Sequence, residues 1–340
     1  MIKLIRYELK KIIVSPYILG LILLLSALII FFGVKDWTQF GNEKIANQLL
    51  SDPDAADEIL RLLREEQLRQ KTLEIQEIRA NIRLSAARYG LEAVKANDLY
   101  GIRRNAAIIQ SYADVPISIN HRIYGIDYFL SFPYGALAAI LMTLVANAGL
   151  YSEEYRRNTW MFLKSSRDGR GKLFWAKILA GMTASTLFLV IFQGVAFLVI
   201  LFDQGMGGFS ESVLAIDGWS ACPLNLTVFQ YMLIEAGLKL YAIFLFGLTA
   251  ASFSAIVRNT RLSFLMGALF FALNISVTLL TKNQRSEWML LQIAQPESLL
   301  SVYRDMNLLS FPIPRILMLI FMWTGTVGLL CIAAGKQDRR

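Results

Sequence analysis

Six long apolar stretches alternate with polar segments along this chain of 340 residues. The apolar residues cluster in runs, and each run is long enough to cross a hydrocarbon core of ~30 Å as a helix. The pattern therefore predicts an all-α polytopic membrane protein with six transmembrane helices. The predicted spans are residues 17–34, 128–151, 178–202, 240–257, 262–281 and 316–335.

The N-terminal segment, residues 1–16, has apolar residues at helical spacing on one side and basic residues on another. This pattern predicts an amphipathic interfacial helix whose basic residues are Lys3, Arg6, Lys10 and Lys11. Basic residues that simply mark the end of the first span at the membrane surface explain the pattern equally well. The same segment also precedes an apolar run as in a signal peptide, but Gly33-Val34-Lys35-Asp36 follows where a small-residue cleavage site would stand.

The largest polar region is 35–127, after the first span. Asp52-Pro53 provides a helix start, and residues 54–88 then contain no further Gly or Pro, which predicts one long helix ending at Tyr89-Gly90. A second helical stretch follows at about 91–112. The region is therefore predicted to form an external helical hairpin. A solvated helix pair without a binding role and a contact site for a substrate or partner both remain open.

The distribution of charge predicts the orientation in the membrane. The segments on the side of the termini, which are 1–16, 152–177, 258–261 and 336–340, carry a net charge of +11, whereas the whole chain carries +8. Because cytoplasmic loops are enriched in Lys and Arg, both termini are predicted to be cytoplasmic in a bacterial plasma membrane. The external side then contains the loop 203–239 and the loop 282–315, the latter with short re-entrant or interfacial helices.

The residue types in the predicted spans argue against several classes of function. No predicted span has an ionisable residue in its interior, which argues against an ion-coupled transporter. Glu235 and Lys239, just outside the fourth span, are expected to pair on a helix surface. Gln193 and Asn274 are expected to form hydrogen bonds between helices, and they are also the candidate residues of a substrate path. One histidine and two cysteines without ligand spacing predict no metal site.

The stretch 151–177 interrupts the apolar sequence with basic and aromatic residues. Glu153 and Glu154 suit the start of a short helix. Tyr155, Thr159 and Phe162 would then share one face, with Trp160 and Leu163 adjacent, and an apolar group in a charged rim is typical of an interface hot spot. A loop that rests on lipid headgroups is the equal alternative. Gly169-Arg170-Gly171-Lys172 is not a phosphate-binding loop, because Ser166 and Leu173 stand at its defining positions.

The order Glu153-Glu154, Thr159, Leu163, Ser165-Ser166, Arg170 and Lys177 between the second and third spans resembles the ABC-2-type permeases. The N-terminal helix, the six spans and the Pro-initiated segment at 295–304 also resemble that family. Two departures are Asn158, where the family often has Gly, and the long external region. Permeases with large external insertions are similar to exporters of peptide-antibiotic resistance and immunity.

The resemblance implies a membrane subunit of an ABC exporter that is not itself an enzyme and binds no cofactor. ATP and magnesium would belong to a separate ATPase subunit, and a second permease, identical or different, would complete the path for an amphipathic, peptide or lipid-like substrate. The ATPase-coupling residues implied are Glu153, Glu154, Tyr155, Arg157, Thr159, Trp160, Phe162, Leu163 and Arg170. A membrane sensor or scaffold whose external hairpin binds a ligand or partner is the alternative from a different class.

Overall fold

A computed structural model describes residues 2–48, 53–113, 125–156, 158–161, 172–204, 206–216, 218–280 and 288–339. The helices are α1 (Ile2–Ile13), α2 (Pro16–Gln48), α3 (Pro53–Lys95), α4 (Leu99–Ser111), α5 (Ile126–Ser131), α6 (Tyr134–Ala148), α7 (Ser152–Arg156), α8 (Lys172–Gln204), α9 (Val228–Val257), α10 (Thr260–Leu280), α11 (Leu291–Ala294), α12 (Glu297–Leu300) and α13 (Arg315–Arg339). The strands are β1 (Asp305–Leu308) and β2 (Phe311–Pro314).

Within the described residues, six helical segments are long and apolar enough to cross a membrane. They are Pro16–Val34, Ile126–Arg156, Lys172–Phe202, Val228–Val257, Thr260–Thr278 and Arg315–Gln337. The mainly helical architecture is compatible with the predicted multi-pass membrane protein. Many apolar side chains of these segments remain exposed on the outside of the bundle, as expected where lipid would replace water.

The bundle has two ends that differ in composition. The terminal end contains α1, α7 and the start of α8. It also includes the end of α13, because the Arg258 guanidinium donates to the Gln337 carbonyl at 3.0 Å. The hairpin end contains α3, α4, the loop 206–227 and residues 288–314. Its own hydrophobic core includes Ile75 from α3 and Trp219 and Cys222 from the loop.

Close helix crossings hold the bundle together around α9. The Asn147 amide donates to the Ser185 hydroxyl at 3.3 Å, which joins α6 to α8. A Cβ added at Gly181 would lie 2.1 Å from the Asn147 amide oxygen and 2.9 Å from a Leu150 methyl group, so a larger residue there would displace the Asn147 side chain. Helix α9 begins with a capping box, in which Thr227 and Gln230 each accept a hydrogen bond from the other's backbone amide.

The helical hairpin is present, but the predicted end of its first helix is wrong. Helix α3 continues through Tyr89-Gly90 to Lys95, and the turn comes at Asn97, whose φ is 55°, before the Asp98 N-cap of α4. Gly90 does not end the helix because α4 packs against it there, and the Cβ of Asn105 would lie 3.4 Å from a Cβ at that position. Tertiary packing therefore outweighs the low helix propensity of one glycine.

The region 282–315 contains strands as well as the predicted short helices. Short helices α11 and α12 are present, but β1 and β2 follow them as an antiparallel hairpin in which Asp305 pairs with Pro314. The turn places Leu309 and Ser310 at positive φ, which the sequence pattern does not announce. Over the described ranges, the fold is thus predominantly helical, with a two-stranded sheet at the hairpin end.

Candidate functional site

The predicted coupling segment begins as a helix and then breaks. Helix α7 carries Glu153 and Glu154 in its first turn, as predicted, but it ends at Arg156. Asn158 has a φ of 54°, a left-handed conformation that Gly and Asn adopt more readily than other residues. The local backbone is therefore compatible with the Asn at this position. The prediction of one continuous helix through Thr159 is therefore wrong.

A buried lysine joins the two ends of the segment. The Lys177 side chain, on α8, is 1% exposed, and its ammonium forms an ion pair with the Glu154 carboxylate of α7. The same ammonium donates to the Leu150 carbonyl at 3.1 Å and lies 4.8 Å from the centre of the Tyr151 ring. An unpaired charge at this depth would be costly, so the pair fixes α7 against α8.

Helix α1 adds a second carboxylate to this cluster. Glu8 is 4% exposed, and burial raises its pKa above the ordinary value, while the positive charges of Lys177 and Lys11 oppose the rise and Glu154 and Glu153 add to it. The sequence analysis overlooked Glu8. A signal was present, because Glu8 lies three residues after Ile5 and four before Ile12, on the apolar side of the helix.

A groove of about 880 Å³ separates α1 from the end of α6. Its polar rim includes Lys10, Lys11 and Arg156, and its floor includes Ile18 and Val145. Glu153 bridges the rim, since its carboxylate oxygens lie 3.9 Å from the Lys11 ammonium and 3.4 Å from the Arg156 guanidinium. Lys10 and Lys11 thus border the site, whereas Lys3 and Arg6 are exposed on α1 outside the groove lining.

The start of α7 is also anchored by hydroxyl groups. The backbone amides of Tyr151 and Ser152 both donate to the Ser254 hydroxyl of α9, at 3.0 and 3.1 Å. The Ser152 hydroxyl in turn donates to that of Thr260 at 3.1 Å. Sequence reasoning missed Ser254, because a serine in an apolar helix gives no local sign of which backbone it will meet. Helices α7, α8, α9 and α10 consequently converge on one point.

The aromatic residues of the segment form a stack with a cation. The Tyr155 and Trp160 rings lie 5.4 Å apart and are nearly parallel, and the Arg258 guanidinium lies 4.8 Å from the Tyr155 ring centre. Thr159 is exposed, and its backbone amide donates to the Glu154 carbonyl. The other candidate coupling residues, Arg157, Phe162, Leu163 and Arg170, lie outside the described residues.

The two candidate substrate-path residues do not join this site or each other. The Asn274 amide donates to the Phe270 carbonyl of its own helix, and its side-chain oxygen is buried without a partner among the described residues. The Gln193 amide lies against Gly135, and its nitrogen likewise has no partner there. The predicted hydrogen bonds between helices are therefore absent at both positions, and Asn147 provides one instead.

Glu235 and Lys239 require a correction. They pair at 2.5 Å as predicted, but both are buried within α9 and not on a helix surface. The Lys239 ammonium lies 5.8 Å from the Phe129 ring centre in α5. The second Glu235 carboxylate oxygen has no hydrogen-bond partner in the part of the chain that the structure describes. The absence of ionisable residues from the spans thus does not hold, because these two residues and Lys177 lie in span candidates.

Among the described residues, no group of three or more His, Cys, Asp or Glu side chains could hold a metal ion. The site offers a mechanical arrangement, in which one buried ion pair and a set of hydroxyl hydrogen bonds link several helices to one short segment. Comparison of the chain with protein-family models, with curated proteins and with solved structures gives no match.

Proposed function

We propose that this chain is the permease subunit of an ABC exporter, which moves an amphipathic, peptide or lipid-like substrate across a bacterial plasma membrane with ATP hydrolysed by a separate subunit. The observation that carries the proposal is the Lys177–Glu154 ion pair, which clamps the two ends of residues 152–177 together. A segment clamped in this way and anchored to Ser254 transfers a force on it to α7, α8 and α9 together.

The amphipathic helix α1 fits the same role. It packs beside α8 and contributes Glu8 to the buried cluster, so a displacement of the segment would reach the N-terminal helix as well. The long apolar segments offer a largely uncharged surface for an amphipathic substrate, and the unpartnered polar atoms of Gln193 and Asn274 are its candidate contacts. A second permease, identical or different, would complete the path.

The orientation can be tested by cysteine labelling. In a variant without Cys222 and Cys331, a cysteine at Ser85 should react with a membrane-impermeant thiol reagent in intact cells, because α3 belongs to the hairpin end. A cysteine at Ser166 should react only after the membrane is opened. The reverse result would place the basic terminal end outside and would remove the basis for an ATPase at residues 152–177.

The ATPase contact can be tested by comparing two kinds of variant. Phe162→Ala or Leu163→Ala should remove a hot-spot contact of roughly 2 kcal/mol, which is about thirtyfold in affinity. Neutralising Arg156, Arg157 and Lys164 together serves as the comparison. The readouts are the amount of soluble ATPase that co-purifies in mild detergent and the substrate-stimulated hydrolysis at matched expression.

If the segment only rests on lipid, the charge variants should weaken membrane contact by about 1 kcal/mol per charge, while the aromatic and leucine truncations have almost no effect. Full retention of the ATPase in both Phe162→Ala and Leu163→Ala would contradict the proposal. Recovery of the wild-type protein without a stoichiometric ATPase would contradict it as well.

A membrane sensor or scaffold is the second candidate, and one observation favours it. The external hairpin is held rigidly, because the buried Arg79 guanidinium donates to the Cys222 carbonyl at 2.9 Å and to the Asn225 side chain at 3.3 Å. A rigid platform outside the membrane suits ligand binding. Co-purification decides between the two: an extracellular ligand or partner without an ATPase favours the sensor.

A further inference from the structure

Helix α3 carries an exposed row of apolar side chains on the part of the chain that the structure describes. The row, called here the α3 seam, consists of Leu73, Ala80, Leu84, Ala87, Leu91 and Val94. Its four large side chains, at 73, 84, 91 and 94, are 55%, 57%, 65% and 55% exposed. With Glu77 included, the spacing alternates between three and four residues over three heptads, which is the pattern of a coiled-coil interface.

The α3 seam is separate from the face that α3 uses in its own fold. Ile75, Arg79, Ala86 and Ala93 are buried against α4 and the loop 206–227. At 3.6 residues per turn, the seam lies roughly 130° around the helix from that face. A helix docked on a core needs only one apolar face. The second face indicates a second partner.

The α3 seam is complementary to a second copy of itself that runs in the opposite direction. An antiparallel copy places Leu73 against Leu91, Ala80 against Leu84 and Glu77 against Ala87, so Glu77 meets a small apolar side chain. In the same register, Val94 lies opposite Gln70 at the end of the pair. A parallel copy instead places Glu77 against its own counterpart in the seam. The side chains therefore favour the antiparallel arrangement.

The flanking charges favour the same arrangement. Glu74 and Arg88 lie beside the seam and are exposed, and neither forms an ion pair within the described parts of the chain. In the antiparallel pair, Glu74 of one copy comes opposite Arg88 of the other, twice. The same pair brings Arg83 of the two copies together once. A parallel pair would bring Arg83 opposite Arg88 twice, alongside a favourable Arg69–Glu74 contact, so the antiparallel pair has fewer like-charge contacts.

We propose that the α3 seam is an interface between two copies of this chain, formed as an antiparallel two-stranded coiled coil. The occupant is a second copy because the large leucine layers and the Glu74–Arg88 charges are complementary when the seam meets itself. The inference goes beyond the proposed transport function and does not depend on it, since the contact involves neither residues 152–177 nor an ATPase.

The test is disulfide cross-linking in native membranes between two differently tagged, co-expressed full-length copies. Facing layers of a coiled coil bring Cα atoms within disulfide range. A Leu73→Cys copy should therefore cross-link to a Leu91→Cys copy, whereas Leu73→Cys alone should not dimerise. Ser85→Cys, which is exposed on another face of α3, is the matched control, and the wild-type chain reports on Cys222 and Cys331.

A charge reversal gives an independent reading of the same interface. Glu74→Arg should lower the cross-linked fraction about twofold, which is the effect expected of exposed ion pairs, and Glu74→Arg with Arg88→Glu should restore it. Leu84→Glu should lower the cross-linked fraction about tenfold or more, because the substitution places a charge in the apolar layer. These positions are exposed, so an unchanged thermal unfolding curve will show that the fold is intact.

Three outcomes would overturn the proposal. The first is no mixed dimer above the Ser85→Cys level. The second is equal dimerisation of Leu73→Cys alone, which would indicate a parallel pair or random collision. The third is cross-linking only to a different protein, which would show that the α3 seam serves another partner.

Discussion

The two ends of the bundle are held by different kinds of interaction. At the terminal end, the buried charges of Lys177, Glu154 and Glu8 meet, and the ion pair between the first two joins separate helices. At the hairpin end, the Arg79 guanidinium and the Tyr112 hydroxyl donate mainly to neutral carbonyl groups. The hairpin end also has an ion pair between Arg104 and Asp305 at 2.9 Å, but its arginine side chain is 46% exposed. The terminal end therefore depends on a buried charge balance, whereas the buried donors Arg79 and Tyr112 of the hairpin end depend on the positions of uncharged acceptors.

This difference matters because the two kinds of contact respond differently to loss of one partner. Removal of one member of a buried ion pair leaves a charge without compensation. Removal of a donor from a carbonyl leaves only an unsatisfied neutral acceptor, which costs less. The terminal end should therefore be the more sensitive to single substitutions.

The largest effect is expected for Lys177→Met. The substitution leaves the Glu154 and Glu8 carboxylates buried without their ammonium, at a cost of about 3–5 kcal/mol in the free energy of unfolding. Thermal and denaturant unfolding in detergent would measure it. Lys172→Met, on an exposed side chain of the same helix, should change stability by less than about 0.5 kcal/mol. Equal stability of the two variants would contradict the role of the buried cluster.

A double variant sharpens this prediction. Lys177→Met with Glu154→Gln should recover part of the lost stability, because one of the two uncompensated carboxylates is gone. The recovery would distinguish loss of charge balance from loss of packing, since packing losses at both positions would simply add.

A smaller effect, about 2 kcal/mol, is expected for Arg79→Met at the hairpin end. The Cys222 carbonyl, the Asn225 side-chain oxygen and the face of the Tyr112 ring lose their cation. Limited proteolysis of the hairpin should accelerate together with the loss of stability. Arg69→Met, at an exposed position on the same helix and outside the contacts of the proposed antiparallel pair, is the control, and a comparable loss there would show that helix propensity is the cause.

Asn158 should tolerate Gly better than Ala. The left-handed φ of 54° costs Ala about 1 kcal/mol, whereas Gly adopts it freely. Comparative unfolding of Asn158→Ala and Asn158→Gly measures the difference. If Ala is as stable as Gly, the break after α7 does not require this conformation.

The smallest effect is a pH dependence caused by Glu8. Burial raises its folded pKa above the ordinary value of 4.5, so folding favours the protonated carboxyl. The resulting cost is present above the raised pKa and disappears as the pH falls toward 4.5. Glu8→Gln should flatten this part of the stability–pH curve, and parallel curves for the two proteins would contradict the assignment.

The sequence predicted the secondary-structure elements better than the contacts between them. Hydropathy found all six long apolar segments, because a span must be apolar along its whole length. The burial of Glu235 and Lys239 was not visible, since it depends on Phe129, about a hundred residues away in the chain. The contact between Lys177 and Glu154 is likewise a property of how α7 and α8 pack, so its partners could not be deduced from spacing alone.

The capping box of α9 has a consequence for synthesis of the chain. Thr227 and Gln230 satisfy each other's backbone amides, and the amides of Val228 and Phe229 donate to the Glu211 and Phe209 carbonyls. The first turn of this helix is therefore fixed by residues close to it in the chain. Helix α9 is synthesised after α6 and α8 and before α10 and α13, and it contacts all four. Because the start of α9 is fixed locally, the helices synthesised before and after it can pack against one helix of defined length as the chain leaves the ribosome.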